Sequence, residues 1–395
     1  MKILFVNMFY YPTMNGGTEH SLKLLAEELA SRGHKVAVAT YDGKQPVLSQ
    51  ECISGVYVYR MYNPIFMKKA FHRPVRTDEK LKYYVGKYFN KAMEKQLEYI
   101  LGQVQPDIVH TQNFFPTRLL KSIKRRGIST IHTLRDYFLL DPKSDLNASH
   151  RIIVNLHRLY QRFYTDRYLD MVTAPSQLIM KRHTDRNFFK VCRRKVIYNA
   201  VRLNMEETVR YIDEKKKRTE KTVHFLYVGS LLKLKGIDLL LRTFQEIKMD
   251  HIRLTICGSG PMQHEVEDMC RQDTRIRFKG QLMSSELAVE YAAADVVIVP
   301  SLWEEPFGRV VIEAAQHGNP IIGSNRGGVA EVIGHTKFGT LFTYDDPEDL
   351  KKQIKLFAER NYLRQFYPRL AEGIQEFSSE KQVLKFEEAY SDIRG

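Results

Sequence analysis

The sequence predicts an α/β chain of two doubly wound parallel sheets, one in each half. Three observations carry this. Short apolar runs alternate with amphipathic stretches through both halves, to about Phe342. The first run of each half leads into a glycine-bearing loop, Asn15-Gly-Gly-Thr-Glu19 and Gly229–Gly236. The chain has 395 residues, of which 43% are hydrophobic and 27% charged. That is enough for two or three packed domains and too apolar for a disordered chain.

Each element follows from its pattern. Ile3–Val6 reads as a strand. Thr18 is placed to cap a helix to about Ser31, with Leu22, Leu25, Ala26 and Leu29 on one face. Gly33 stops it, and Lys35–Thr40 is the next strand. Asp107-Ile-Val-His110 ends a strand, and Thr130-Ile-His-Thr-Leu-Arg-Asp136 follows another. The domain boundary falls near Asn199-Ala-Val, giving 1–198 and 199–376. Glu214–Lys221 reads as a basic surface segment before the second domain. There, His224–Val228 is a strand, Gly236 opens a helix to about Lys248, and Ile252–Cys257 is a strand. Gly258-Ser-Gly-Pro261 reads as a tight turn with Pro261 at the first helical position. Val296-Val-Ile-Val-Pro300 is a buried parallel strand, and a helix spans Gly308–Gly318. Phe377–Ile393 is helical in pattern. Ligands of such sheets bind beyond the carboxyl ends of the strands, and two facing domains make a cleft there.

The net charge of +15 is uneven. Residues 1–200 carry 33 Lys+Arg against 16 Asp+Glu, and residues 201–395 carry 28 against 30. The excess of +17 in the first half implies a partner with phosphates or an anionic surface. Cys52, Cys192, Cys257 and Cys270 form no CxxC pair, so neither a zinc site nor a disulfide framework is implied. The run after Met1 is too short for a signal peptide, and no apolar stretch reaches the length of a membrane span. The expected compartment is reducing and cytoplasmic. Asn147-Ala-Ser149 matches a glycosylation acceptor, which without a secretion signal reads as chance.

The richest stretch is Glu305-Pro-Phe-Gly-Arg-Val-Val-Ile-Glu313. Glu305 sits in a strand-to-helix loop, and Glu313 lies about a turn and a half into the helix. Backbone amides at Phe307 and Gly308 point out of a helix N-terminus, which favours an anion. Two carboxylates around an anion site suit a phosphorylated sugar. Two plainer readings stand beside this. Glu313 can pair with Arg309 on one helix face, and Glu305 can merely favour the positive helix end.

Two glutamates eight apart around Pro-Phe-Gly resemble the signature of the retaining nucleotide-sugar glycosyltransferases of family 4. Ser324-Asn-Arg-Gly-Gly-Val-Ala-Glu331 resembles that family's later Gly-Gly turn, and Asn15-Gly-Gly-Thr-Glu19 its first loop. The motifs run from residue 7 to about 345 in the family's order. The resemblance implies a GT-B fold, two Rossmann-like domains facing across a cleft, with the last helix (about 377–395) returned to the first domain. It implies that Glu305 contacts the donor sugar and Glu313 the ribose. Gly16, Gly17, Gly229, Ser230, Lys235, Gly258, Phe307 and Gly308 complete the donor-binding set. Ser230 stands where the family usually has an arginine, and Lys233 or Arg326 are candidates to compensate. Phe278–Leu282 would lie against the base through its backbone.

Arg135 stands where the family often has a histidine, next to Asp136. Arg135, Asp136 and Glu305 are the catalytic candidates. Arg135 stays protonated, so it stabilises negative charge rather than acting as a base. His132 would face the other way on its strand. No Asp-x-Asp suggests a metal, so Lys235, helix N-termini and Arg135 would neutralise the leaving diphosphate, and no cofactor is expected.

Residues 60–103 mix basic and aromatic side chains, at Met67-Lys-Lys, Phe71-His-Arg, Lys80–Tyr84 and Lys87–Lys91. In His150–Tyr168, Ile152, Leu156, Leu159 and Phe163 fall at helical spacing beside Arg151, Arg158, Arg162 and Arg167. A basic amphipathic helix can lie on an anionic membrane as a peripheral contact. Alternatively, the apolar stripe is core and the basic face is solvated. The expected partners are a nucleotide-sugar, a lipid-linked or polysaccharide glycan acceptor and an anionic membrane surface. Three other readings compete. A related epimerase shares the architecture. A pyridoxal-phosphate phosphorylase lacks the length and a lysine context. A basic nucleic-acid-binding protein lacks a recognition motif and leaves the glutamate pair unexplained.

Overall fold

The structure, a computed structural model, describes residues 1–14, 16–43, 48–62, 88–112, 117–142 and 151–394. Asn15, the basic aromatic clusters between 63 and 87, Asn147–Ser149 and His150 lie outside the described residues. The chain divides into two compact units, Met1–Tyr198 with Ser379–Gly395, and Asn199–Ser378.

The first unit holds a sheet in the order β3-β4-β2-β1-β5-β6-β7-β8. Its strands are β1 (Lys2–Asn7), β2 (Lys35–Gly43), β3 (Ser49–Ile53), β4 (Val56–Tyr62), β5 (Ile108–Gln112), β6 (Ser129–Thr133), β7 (Met171–Ala174) and β8 (Arg193–Val196). Among these described strands only β3 runs antiparallel, against β4. Ile3 to Asn7 are all buried, because helices cover both faces of such a sheet and leave no solvent side to alternate with. Helix α1 (Gly17–Ser31) presents Leu22, Leu25, Ala26 and Leu29 to the core. Its N-cap is Gly16, so Thr18 lies inside the first turn and does not cap it. Helix α2 spans Arg151–Tyr168. The C-terminal helix, Ser379–Ile393, belongs to this unit and places Val383, Phe386 and Tyr390 in the same core as Ile3, Phe5 and Leu22.

The second unit holds a wholly parallel sheet in the order β11-β10-β9-β12-β13-β14. Its strands are β9 (Val223–Val228), β10 (Ile252–Cys257), β11 (Ile276–Gly280), β12 (Val296–Val299), β13 (Ile321–Ser324) and β14 (Gly339–Phe342). The order reverses between β9 and β12, which makes their carboxyl ends the topological switch point. The helices that matter below are α3 (Met205–Lys217), α4 (Ser284–Ala293), α5 (Arg309–Gln316) and α6 (Gly327–Thr336).

Glu214–Lys221 is not a surface segment throughout. Lys215 closes α3 and is buried, with its Nζ donating to the carbonyls of Tyr291, Ala292 and Ala294 and to Asn319 Oδ1. It satisfies the orphan carbonyls at the end of α4. Arg218 donates to Asp295 Oδ1 at 2.7 Å, and Arg360 approaches the same carboxylate at 3.2 Å. Burial raises the Asp295 pKa, but the His224 amide and the two arginines outweigh it and hold the carboxyl below its usual range. Pro261 also differs from expectation, because the following helix begins at Gln263 with Met262 as N-cap. No helix among the described residues is long and apolar enough to cross a membrane.

Candidate functional site

The loops after β9, β10, β12 and β13 gather at the carboxyl edge of the second sheet. After β9, Gly229 donates its amide to Cys257 O at 3.1 Å, which joins it to the loop after β10. A Cβ at Gly258, where φ is +149°, would stand 1.8 Å from Gly229 O, so only glycine allows this approach. The Tyr227 hydroxyl donates to Ser230 O at 2.9 Å and fixes the turn. Burial first, and the Glu305 carboxylate second, push that phenol far above its ordinary pKa.

Lys235 ends a short 3-10 turn (Lys233–Lys235). Its Nζ lies 3.0 Å from Glu305 Oε1 and 5.4 Å from the Trp303 ring centre. Lys235 and Glu305 therefore meet at the switch point, with side chains 26% and 15% exposed, open to water yet held by packing. The Glu305 backbone is held from α6. Gly328 donates to Glu305 O at 2.7 Å, and a Cβ on Gly328 would stand 2.4 Å from Phe307 Cα. The second Gly-Gly turn is thus the seat on which the Glu305–Phe307 loop rests. Phe307 is buried, and Gly308 is the left-handed N-cap of α5. A Cβ at Gly308 would stand 2.6 Å from Val329 Cγ2, so packing against α6 requires glycine there as well. Arg326, at the N-cap of α6, lies 4.4 Å from the Tyr344 ring.

Glu313 is engaged otherwise. Arg309 donates to its Oε1 from Nε at 3.1 Å and from Nη2 at 3.0 Å, and Tyr291 OH donates to Oε2 at 3.3 Å. Arg309 Nη1 also donates to Ala200 O at 3.3 Å. The surface-pair reading of Glu313 is therefore part of the geometry, and any ligand at this carboxylate shares it with Arg309. Tyr291, twenty-two residues earlier, left no signal in the sequence.

In the first unit the candidates also lie beyond strand ends. Gly16 and Gly17 follow β1 and open α1. Gly16 is extended, and an added Cβ there would make only ordinary contact, so steric need does not explain it. Arg135 follows β6, and its Nε donates to Gln112 Oε1 at 3.0 Å. Gln112, fully buried at the end of β5, went unremarked in the sequence. Its Nε2 has no partner among the described residues. Asp136 accepts the Phe138 amide at 2.8 Å and so shapes the turn after Arg135. His132 is buried, with Nδ1 2.8 Å from Thr111 Oγ1. Burial, then His183 and Arg135, push its pKa down to about 3. Among the described residues, no group of three His, Cys, Asp or Glu is placed to hold a metal.

Known proteins extend this picture. The profile of Glycosyltransferase Family 4 matches residues 15–204, and that of Glycosyl transferases group 1 matches residues 209–373. An uncharacterized glycosyltransferase of Methanocaldococcus jannaschii is 30% identical over 371 residues, covering 89% of this chain and 87% of its own. An uncharacterized 42.6 kDa protein in the cps region of Klebsiella pneumoniae is 27% identical over 342 residues, covering 84% and 87%. The solved structure of Anabaena HepE in complex with UDP-glucose covers 99% of this chain and 100% of its own, with a TM-score of 0.67 at 18% identity.

Proposed function

The chain belongs to the group 1 glycosyltransferases with a family 4 N-terminal domain and has their GT-B fold, and from that premise we propose a retaining, metal-independent sugar transfer. The donor is a nucleotide-diphosphate sugar and the acceptor a lipid-linked or polysaccharide glycan. One observation carries the reading. Lys235 and Glu305 meet at the switch point of the second sheet, beside the N-terminus of α5. A diphosphate arriving there takes Lys235 as its cation, and Glu305 is released to accept from a sugar hydroxyl. The N-terminal amides of α5 add the positive end of a helix dipole. Glu313 accepts from the ribose hydroxyls while Arg309 holds its carboxylate in place. Arg135 stabilises the negative charge of the leaving group. Support for the donor comes from the UDP-glucose bound by the Anabaena relative in fold.

Retention is what membership in this family implies, and the side chains in the set bear on its route. No evident nucleophile belongs to it, so departure and attack occur on one face within a tight ion pair. The leaving oxygen helps to deprotonate the acceptor. Lysine and backbone amides serve the phosphates, which is the ground for metal independence.

A thermal-shift screen across UDP-, GDP- and ADP-sugars tests the reading. One of them at 100 times its dissociation constant stabilises the protein by about 2.7 kcal/mol. If none shifts the transition, or if the shift survives unchanged in Lys235→Ala, the donor assignment is wrong. Product NMR showing an inverted anomeric centre would end the retaining assignment.

A further inference from the structure

Helix α2 is built inside out. Its buried positions are Val154, His157, Gln161 and Thr165, three of them polar. They are satisfied within the unit: His157 meets Tyr88 OH at 2.7 Å, and Thr117 donates to Gln161 Oε1 at 2.6 Å. The apolar positions face out. Ile152 is 77% exposed, Leu156 62%, Leu159 54% and Phe163 53%, with Ile153 at 58% beside them. At about 100° per residue, Ile152, Leu156, Leu159 and Phe163 form one line roughly 180° from the buried row. The line runs about 16 Å along the helix. A packed helix turns its apolar stripe inward, so the core does not explain this one.

The flanks say what covers it. Arg151 and Arg162 fall on one side of the stripe with Arg158, whose Nε is held by Leu140 O at 2.8 Å, and Arg167 lies on the other, 5.7 Å from the Phe163 ring. Asp166 is the only acidic residue of the helix. Tyr160, Tyr164 and Tyr168 form a row of tilted rings, with centres 4.9 and 6.0 Å apart, between the stripe and the domain. Tyrosines with an apolar ring and a polar tip suit a boundary between oil and water.

We infer that α2 docks the first unit on an anionic lipid surface, its stripe entering the acyl boundary and its arginines meeting phosphate headgroups. A second copy of the chain is a poorer occupant, because it would bring two halves with a +17 excess together. The inference goes beyond the transfer reading and does not depend on it.

The test is sedimentation of the full chain with phosphatidylglycerol–phosphatidylcholine vesicles and with phosphatidylcholine alone. The wild type pellets with the anionic vesicles at low salt and is released as salt rises. Ile152→Ser with Leu156→Ser and Phe163→Ser, all at exposed positions, weakens binding at least about tenfold. Arg151→Gln with Arg162→Gln and Arg167→Gln does so by a similar factor and flattens the salt dependence. Three results overturn the proposal. The wild type stays in the supernatant at low salt. The serine variant binds like wild type. Or the wild type forms a dimer in velocity sedimentation that the serine variant loses, which makes the stripe an interface between copies.

Discussion

At the carboxyl edge of the second sheet, Lys235 and Glu305 meet as a partly exposed ion pair. Close to the same edge of the first sheet, apart from the charged Arg135 and Asp136, one polar network is neutral and sealed from water. His110 Nδ1 lies 2.8 Å from Tyr390 OH, and its Nε2 lies 2.6 Å from Thr133 Oγ1, which meets Thr173 Oγ1 at 2.6 Å. An exposed ion pair is worth little to the fold and exchanges easily for another charge. A buried neutral network is costly to break and has no free charge to offer. The ion pair is therefore built to be rearranged by an anion and the buried network to stay as it is. This difference is open to test.

The largest expected effect is on acid stability. Burial is the main force holding His110 well below the ordinary histidine range, His132 at about 3 and His183 at about 4. Below about pH 6.5 the unfolded chain takes up protons that the folded first unit refuses. Stability is complete above that pH and is lost as pH falls, by about 1.4 kcal/mol per histidine per pH unit. Urea titrations from pH 7 to 4.5 measure this. A flat profile would mean that the three rings are protonated inside the fold.

Next is the ion pair. Glu305→Gln is expected to lower kcat/KM about 10²- to 10³-fold while leaving the melting temperature within a few degrees. A loss of less than threefold removes Glu305 from the reaction. Glu313→Gln comes third, weakening nucleotide binding by about 1.5–3 kcal/mol in calorimetry. Unchanged affinity would leave Glu313 as the structural partner of Arg309 alone.

Tyr390→Phe leaves His110 Nδ1 without its partner and should cost about 1–3 kcal/mol of stability. Nucleotide affinity should not move, and a change there would join the two edges that the comparison separates. The smallest expected effect is none: transfer continues in EDTA. Activity lost on chelation and restored by Mg²⁺ or Mn²⁺ would rule out lysine and amides as the only phosphate-binding groups.

Much of this was legible because it is local. The apolar runs and glycines mark β1, β9, β10 and β12, and the spacing of Lys235, Glu305 and Glu313 comes from the chain itself. Parts that depend on what packs against what were not legible. Gln112 and Arg135 are twenty-three residues apart, and no pattern links them before the strands pair. Gly327 and Gly328 show as a turn, but their seat under Glu305 needs α6 set against α5. The spacing of α2 predicts an apolar stripe, yet periodicity does not say which face turns inward. Lys215 looked solvated because its four acceptors come from distant segments.

The return of the chain to its first unit has a consequence for synthesis. Val383, Phe386 and Tyr390 belong to the same apolar cluster as Ile3, Phe5 and Leu25, so segments synthesised far apart in time share one core. At a few to twenty residues per second, the first unit waits roughly ten to forty seconds for its closing helix, with that part of its core uncovered. The second unit lies wholly inside this interval and can finish first. A nascent chain stalled before residue 379 would therefore carry one finished unit and one open unit. A stop codon just before Ser379 would therefore damage the unit begun by Met1–Tyr198 more than the unit Asn199–Ser378.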